Sequence, residues 1–300
     1  MNILITGTSS GFGKEMTIAL ATLGHSVYAG MRGIQDKNQS SADELKALSA
    51  TLHGQIIPLE IDVTNDESVE EAVSTVLANQ AGILDVVINN AGSFVGGLNE
   101  AFTVSQGQDM FNVNTFGPLR VMRAVLPTLR EQGKGTIINV TSSANKFPMP
   151  GSGNYVASKA ALESLTESYA YELAPLGIEV LIFQPGAFNT GIMAKGTGPE
   201  DVERVNGYGK TLACMEPMMP AFMALIEDTW VNNSPTMISD AIVELLEIPY
   251  GKRPLRTMVD PSGLGNQTDS VNKYFEQAQK QFLQSIKIDQ MAKVPTNLDK

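Results

Sequence analysis

The chain has 300 residues with 43% hydrophobic and 18% charged side chains, an ordinary composition for one globular domain with a substantial core. Its 21 Lys and Arg against 32 Asp and Glu give a formal net charge of −11, which argues against nucleic acid or an anionic membrane surface as partner. No run of about 18 uncharged apolar residues occurs, the N-terminus lacks the basic region of a signal peptide, and the single Cys214 with isolated His25 and His53 offers neither a disulfide nor a metal cluster, so a cytoplasmic, metal-free protein is expected.

The chain opens with a short apolar strand, Asn2 to Thr6, that runs into Thr6-Gly7-Thr8-Ser9-Ser10-Gly11-Phe12-Gly13 and then a helical stretch from about Phe12 to Leu23. Strand, glycine-rich turn and helix form a phosphate-binding design. Glycine lets the backbone turn sharply and approach a pyrophosphate, and the helix N-terminus presents unpaired N–H groups. The spacing, Gly7 then Gly11 then Gly13, departs from the G-x-G-x-x-G fingerprint.

Further strands are predicted near Ser26 to Met31, Gln55 to Ile61, Leu84 to Asn89, Gly135 to Thr141, Glu179 to Phe183 and Leu255 to Val259, with helical patterns in most gaps. This alternation indicates a parallel sheet with right-handed crossovers. The polar segment Gln35 to Ala42 reads as a loop. Residues 191–235 are too long for an ordinary connection and rich in apolar side chains (Met193, Leu212, Cys214, Met215, Met218, Met219, Phe222, Met223, Leu225, Trp230), as expected of a lid over an apolar pocket or of a helical subdomain packed on the core. Beyond residue 264, Val271, Tyr274, Phe275, Ala278, Phe282 and Ile286 recur at helical spacing, so residues 265–300 form an amphipathic helical extension whose apolar stripe is expected to be covered.

Tyr155 and Lys159 stand one helical turn apart. A phenol has an ordinary pKa of about 10, and a cation about 4 Å away near a surface favours its phenolate by roughly 4 kcal/mol, about three pKa units. The pair therefore reads as a tuned acid/base. At the end of the second strand, Ala29-Gly30-Met31-Arg32 offers no carboxylate for ribose hydroxyls and one guanidinium for a 2′-phosphate, helped by the Ser9 or Ser10 hydroxyl, which favours NADP(H).

Thr6 to Gly13, Asn89-Asn90-Ala91-Gly92, Asn114, Ser142, Tyr155 with Lys159, and Pro185-Gly186 through Thr190 together resemble the short-chain dehydrogenase/reductase family over roughly residues 1–190. The resemblance implies an α/β, doubly wound Rossmann-type sheet of about seven strands in the order 3-2-1-4-5-6-7, with residues 1–264 as one catalytic domain. It implies Tyr155 as proton donor or acceptor, Lys159 lowering the phenol pKa and bonding the nicotinamide ribose, Ser142 holding the substrate oxygen, and Asn114 holding a water for proton relay. It assigns cofactor contacts to Gly7, Ser9, Ser10, Gly11, Phe12, Gly13, Arg32, Asp62, Val63, Asn89, Ala91, Gly92, Pro185, Gly186 and Thr190. A homodimer or homotetramer, paired through helices near Val104 to Glu131 and Asn154 to Ala174, is implied in the same way.

Two places depart from the family pattern. Ala144-Asn145-Lys146-Phe147-Pro148-Met149-Pro150 replaces a glycine-rich turn beside the substrate, and the 191–235 segment carries no family motif. The expected activity is NADP(H)-dependent interconversion of a hydrophobic ketone or aldehyde and its alcohol, as in hydroxysteroid and retinol dehydrogenases and carbonyl reductases, whose motifs are similar. The alternatives are a nucleotide-binding sensor or scaffold without catalysis, and a sugar-nucleotide epimerase or dehydratase.

Overall fold

In the computed structural model of the protein, residues 1–188, 190–192, 196–224, 236–263 and 265–295 are described. Seven parallel strands, β1 (Asn2–Thr6), β2 (Ser26–Met31), β3 (Gln55–Glu60), β4 (Val86–Asn89), β5 (Gly135–Val140), β6 (Ile178–Pro185) and β7 (Arg256–Val259), form one sheet in the order β3-β2-β1-β4-β5-β6-β7. The order reverses between β1 and β4, so the crevice beyond their C-terminal ends is where such sheets bind ligands.

Period-two alternation divides the sheet's side chains between two cores. Ile3, Ile5, Val27 and Ala29 join Met16 and Leu20 of α1 (Gly11–Thr22), Leu45 of α2 (Gln39–Ser49) and Ile238 and Ile242 of a later helix. Leu4, Tyr28, Val87 and Ile137 join Val69 and Val73 of α3 (Asp66–Asn79) and helices beyond it, through Val121, Val125 and Leu173. Fully burying each large apolar side chain contributes about 1.5–3 kcal/mol, and it is these two layers that hold the strand ends rigid.

Local signals set the helix boundaries. Asn65 caps α3, its side chain accepting from Ser68 N at 2.8 Å, with Asp66 and Glu67 in the first turn complementing the dipole. Thr103 and Gln106 form a capping box at α4 (Val104–Phe111). A π turn (Asn112–Phe116) joins α4 to α5 (Gly117–Gln132), which ends on Gly133 at φ +62°. Then come α6 (Gly153–Leu173), the short α7 (Val202–Asn206) and α8 (Gly209–Met215), α9 (Thr236–Glu247), and α10 (Gly265–Ser285).

The structure corrects the sequence expectation in one place and narrows it in another. The segment Gln35 to Ala42 is not all loop: α2 begins at Gln39, because Ala42 and Leu45 find a place in the first core. The apolar stripe of α10, for which the sequence left its own domain, a neighbouring subunit and the lid as possible covers, is not covered by its own chain: Val271, Tyr274, Phe275, Phe282 and Ile286 stay exposed, Tyr274 at 76%. The helix docks through Thr268, Asn272 and Leu283 instead, because the surface it meets carries the polar side chains of Gln184 and Arg256.

Of the 191–235 segment, Met193, Leu225 and Trp230 lie outside the described residues. Its described part rests on the segment between β4 and α4: Thr197 bridges Val95, Asp201 N donates to Ala101 O at 3.2 Å, Arg204 pairs with Glu100 at 2.6 Å, and the Tyr208 hydroxyl donates to Glu100. The Met215 Sδ methyl stands 3.4 Å from where a Cβ on Gly151 would be, so this segment reaches the loop before α6.

Candidate active site

The glycine turn is pinned from both sides. Gly7 N and the Thr8 hydroxyl donate to Gly30 O at 2.8 and 3.1 Å, and Asn90 Nδ2 donates to the carbonyls of Thr6 and Gly7, both at 3.0 Å. The Thr6 hydroxyl accepts from Asn90 N and Ala91 N at 3.1 Å. A Cβ on Gly13 would stand 2.2 Å from Gly7 O, and one on Gly7 (φ +74°) 2.7 Å from Ala91 Cα. The cradle is thus closed by backbone, with α1 presenting its first amides behind Ser10. Phe12 packs edge-on against Phe188 at 5.4 Å, and Gly11 faces Thr190, whose Cβ would stand 3.3 Å from an added Cβ. Phe12, Gly11 and Thr190 therefore join the first turn to the Pro185–Gly186 segment, where Gly186 N donates to Val259 O at 2.8 Å.

Asp62, half-buried after β3, accepts from the Thr64 amide and hydroxyl at 2.9 and 2.7 Å. Partial burial works against its charge, but the Thr64 bonds, with Arg32 and Lys37 nearby, hold its carboxyl below the ordinary value. Arg32 is exposed at the end of β2, its carbonyl fixed by Asn38 Nδ2 at 2.7 Å. Val63 packs against Gly117, where a Cβ would meet Val63 Cγ2 at 2.9 Å. Asn89 is placed differently from its neighbours: its side chain is buried and donates to Asn139 of β5 at 2.8 Å, so it knits the sheet rather than facing the crevice.

Lys159, buried on α6, donates from Nζ to Val140 O at 2.8 Å. Burial lowers its pKa to about 8. Tyr155 is half-buried with its ring edge-on to Phe94 at 5.1 Å; burial raises the phenol pKa above its ordinary value, and a hydrogen bond with Ser142 opposes that rise. The ammonium is committed to the β5 carbonyl, and the group that draws the phenol pKa down is Ser142. Ser142 is buried, and its Oγ also accepts from Ala144 N at 3.2 Å.

Asn114 lies in the π turn, fully buried. Its Oδ1 accepts from Ser93 N at 2.8 Å, and its Nδ2 donates to Ser93 O and Ser158 Oγ at 2.9 and 3.0 Å. Asn114 Oδ1 and Lys159 Nζ each lie 3.4 Å from where a Cβ on Gly92 would stand. The missing side chain leaves the gap between them open. Ser142, Tyr155, Lys159, Asn114 and Gly92 thus converge at the C-terminal ends of β4 and β5, beside the glycine cradle.

Residues 1–200 match the family model described as short chain dehydrogenase. The chain belongs to the short-chain dehydrogenase family. Within it, a 3-ketodihydrosphingosine reductase of Bacteroides thetaiotaomicron is 34% identical over 259 residues, 86% of this chain and 87% of the relative. A 3-oxoacyl-acyl-carrier-protein reductase of Thermotoga maritima is 34% identical over 192 residues, 64% of this chain and 76% of the relative. Among solved structures, a short-chain dehydrogenase from Streptomyces avermitilis superposes with a TM-score of 0.72 at 30% identity, covering 95% of this chain and 97% of that one. An alcohol dehydrogenase from Thermococcus sibiricus, complexed with 5-hydroxy-NADP, superposes with a TM-score of 0.68 at 25% identity, covering 86% of this chain and 96% of that one. The protein is thus an oxidoreductase of this family, and the side-chain-free cradle of Gly7, Gly11 and Gly13 fits the nicotinamide dinucleotide the family uses.

Three contributions were not read from the sequence. Asn90, inside a recognised motif, locks the glycine turn, and its position beside Asn89 was the available signal. Phe94 orients the Tyr155 ring, and no local pattern marks it. Glu163, Asn145 and Gln184 form a buried polar cluster behind the site, with Asn145 Nδ2 2.6 Å and Gln184 Nε2 3.0 Å from Glu163 Oε2.

Proposed function

We propose that the protein is an NADP(H)-dependent oxidoreductase that interconverts a carbonyl and an alcohol on a hydrophobic substrate. The observation that carries the reading is the convergence of the Tyr155 phenol, its Ser142 partner and the buried Lys159 amine beside the glycine cradle. The residues that would hold the dinucleotide are Gly7 to Gly13 at the pyrophosphate, Asp62 and Val63 at the adenine, Arg32 at a 2′-phosphate, and Pro185, Gly186 and Thr190 at the carboxamide. When bound, the nicotinamide supplies or accepts a hydride.

The chain's own residues do the rest. Tyr155 is protonated at neutral pH, as a phenol of ordinary pKa about 10 is and as burial reinforces, which suits donation to a carbonyl oxygen in reduction. Ser142 holds the substrate oxygen at the phenol. Lys159, close to half-neutral near pH 8 and one turn along α6 from the phenol, returns to Tyr155 the proton that the phenol gives to the carbonyl oxygen, and is reprotonated from solvent. Positioned acid–base catalysis of this kind contributes about 10² to 10⁴ in rate.

Apolar groups support a hydrophobic substrate. Phe94 stands against Tyr155, Phe147 and Met149 are exposed on the loop after Ser142, and Met215 reaches over Gly151. The names of the relatives, reductases of 3-ketodihydrosphingosine and of 3-oxoacyl groups, favour a ketone on a long alkyl chain. The test is loss of NADPH absorbance with a panel of long-chain 3-ketones, cyclic ketones and aldehydes, beside NADH and the Tyr155→Phe protein. Turnover that vanishes in the variant supports the reading, while turnover retained by the variant, or no consumption of either cofactor across the panel, overturns it.

A further inference from the structure

A buried carboxylate stands one helical turn beyond Lys159. Glu163 is 3% exposed, and four donors meet it: Asn145 Nδ2 at 2.6 Å and Gln184 Nε2 at 3.0 Å on one oxygen, Lys146 Nζ at 3.1 Å and Arg256 Nε at 3.4 Å on the other. These donors come from separate walls of the site. Asn145 and Lys146 belong to the turn that Ser142 opens, and Asn145 N donates back to Ser142 O at 3.4 Å. Gln184 directly precedes Pro185-Gly186. Glu163 itself shares α6 with Tyr155 and Lys159.

The C-terminal helix closes the same network. Thr268 Oγ1 donates to Ser143 O at 2.8 Å, and Asn272 Nδ2 donates to Gln184 Oε1 at 2.7 Å. Arg256 is held in turn by Glu167 at 2.5 Å and Glu276 at 3.1 Å. A carboxylate taken from water is costly unless donors satisfy it, and a solvent-free ion pair is not in general a source of stability. The buried charge here instead joins side chains from the Ser142 turn, the end of β6 and β7 to α6.

From these contacts we infer that Glu163 is a positioning residue of the active site: through Asn145 and Gln184 it sets the Ser142 turn and the Pro185–Gly186 segment against Tyr155 and Lys159, and α10 completes that scaffold. The inference deepens the catalytic reading and rests on it. A misplacement of about 1 Å can cost about 10²-fold in rate, so the alignment is worth a buried charge.

The experiment compares the full-length protein with Glu163→Gln, Asn145→Ala and the double variant, measuring kcat, the KM of the ketone and NADPH affinity by fluorescence. Glu163→Gln is expected to lower kcat by about 10- to 100-fold and NADPH affinity by a smaller factor, because the Gly7–Gly13 cradle is not part of the network. In the Asn145→Ala background the same change is expected to add less than about threefold, since the pair acts as a unit. Unchanged kcat in Glu163→Gln, or losses that multiply in the double variant, overturns the inference. Crystal structures of parent and Glu163→Gln give a readout independent of turnover. The hydrogen bond between Ser142 and Tyr155 is expected to be broken or lengthened in the variant, and a superimposable Ser142 turn overturns the inference even if no ketone in the panel is a substrate. Parent protein that turns over no carbonyl counts against the proposed function alone.

Discussion

Lys159 Nζ donates to the Val140 carbonyl at 2.8 Å, so the ammonium one turn from Tyr155 is tied to the end of β5 rather than spent on the phenol. Burial alone lowers its pKa from 10.5 to about 8. A lysine whose folded pKa lies below its unfolded value destabilises the fold while both states are charged. That penalty disappears as pH rises through the interval between the two values, where only the unfolded chain binds the proton. Urea unfolding of the nucleotide-free protein is expected to show stability rising between about pH 8 and 10 relative to Lys159→Met, by about 3 kcal/mol. A difference between the two proteins that does not vary with pH would contradict the assignment.

Tyr155→Phe removes the hydroxyl while keeping the ring against Phe94. Turnover is expected to fall by about 10³-fold or more, with NADPH binding retained. Ser142→Ala, which removes the partner of the phenol, is expected to lower kcat by about 10²-fold. Steady-state kinetics and fluorescence titration measure both.

Gly13→Ala places a methyl 2.2 Å from Gly7 O and 2.9 Å from Gly7 C, both backbone atoms, and 2.6 Å from Asn90 Nδ2, the side chain that locks the turn. The glycine turn must open, so NADPH affinity is expected to fall by at least about tenfold and stability by about 1–3 kcal/mol. Asn90→Leu should act in the same direction, by leaving the Thr6 and Gly7 carbonyls without their donor. Calorimetric titration and thermal unfolding check the pair.

Arg32 is exposed, and its positive charge acts on Asp62 from the end of β2. Arg32→Ala is expected to lower kcat/KM for NADPH by about 10- to 100-fold and leave NADH nearly unchanged, since a guanidinium on a phosphate contributes about 1.5–3 kcal/mol. An equal effect on both cofactors would move the determinant elsewhere.

Far from the chemistry, Arg253 and Glu179 form a buried pair at 2.5 Å, and Arg253 also donates to the Leu245 and Leu246 carbonyls at the end of α9. Arg253→Met leaves a buried carboxylate with one charged partner fewer. A loss of about 3–5 kcal/mol in denaturant unfolding is expected, with kcat little changed.

The succession of strands along the chain was legible in the sequence alone, because it depends on short-range pattern. Short apolar runs between helical patterns mark the strands, buried on both faces at the centre of the sheet, the glycines between β1 and α1 mark a turn that side chains would block, and Tyr155 with Lys159 share a helix face through spacing alone. The start of α2 was hidden because its anchors, Ala42 and Leu45, gain their place only in the first core, which distant strands build. Tertiary structure alone decided how the site is tuned. Which carbonyl Lys159 meets, whether the Tyr155 phenol pKa rises or falls, and which face of α10 turns inward depend on desolvation and on partners far apart in the chain. Thr268 is 125 residues from Ser143, and Asn272 is 88 from Gln184. Pattern along the sequence reports which side chains are available, whereas electrostatics is fixed by the neighbours and the absence of water that folding brings to each of them.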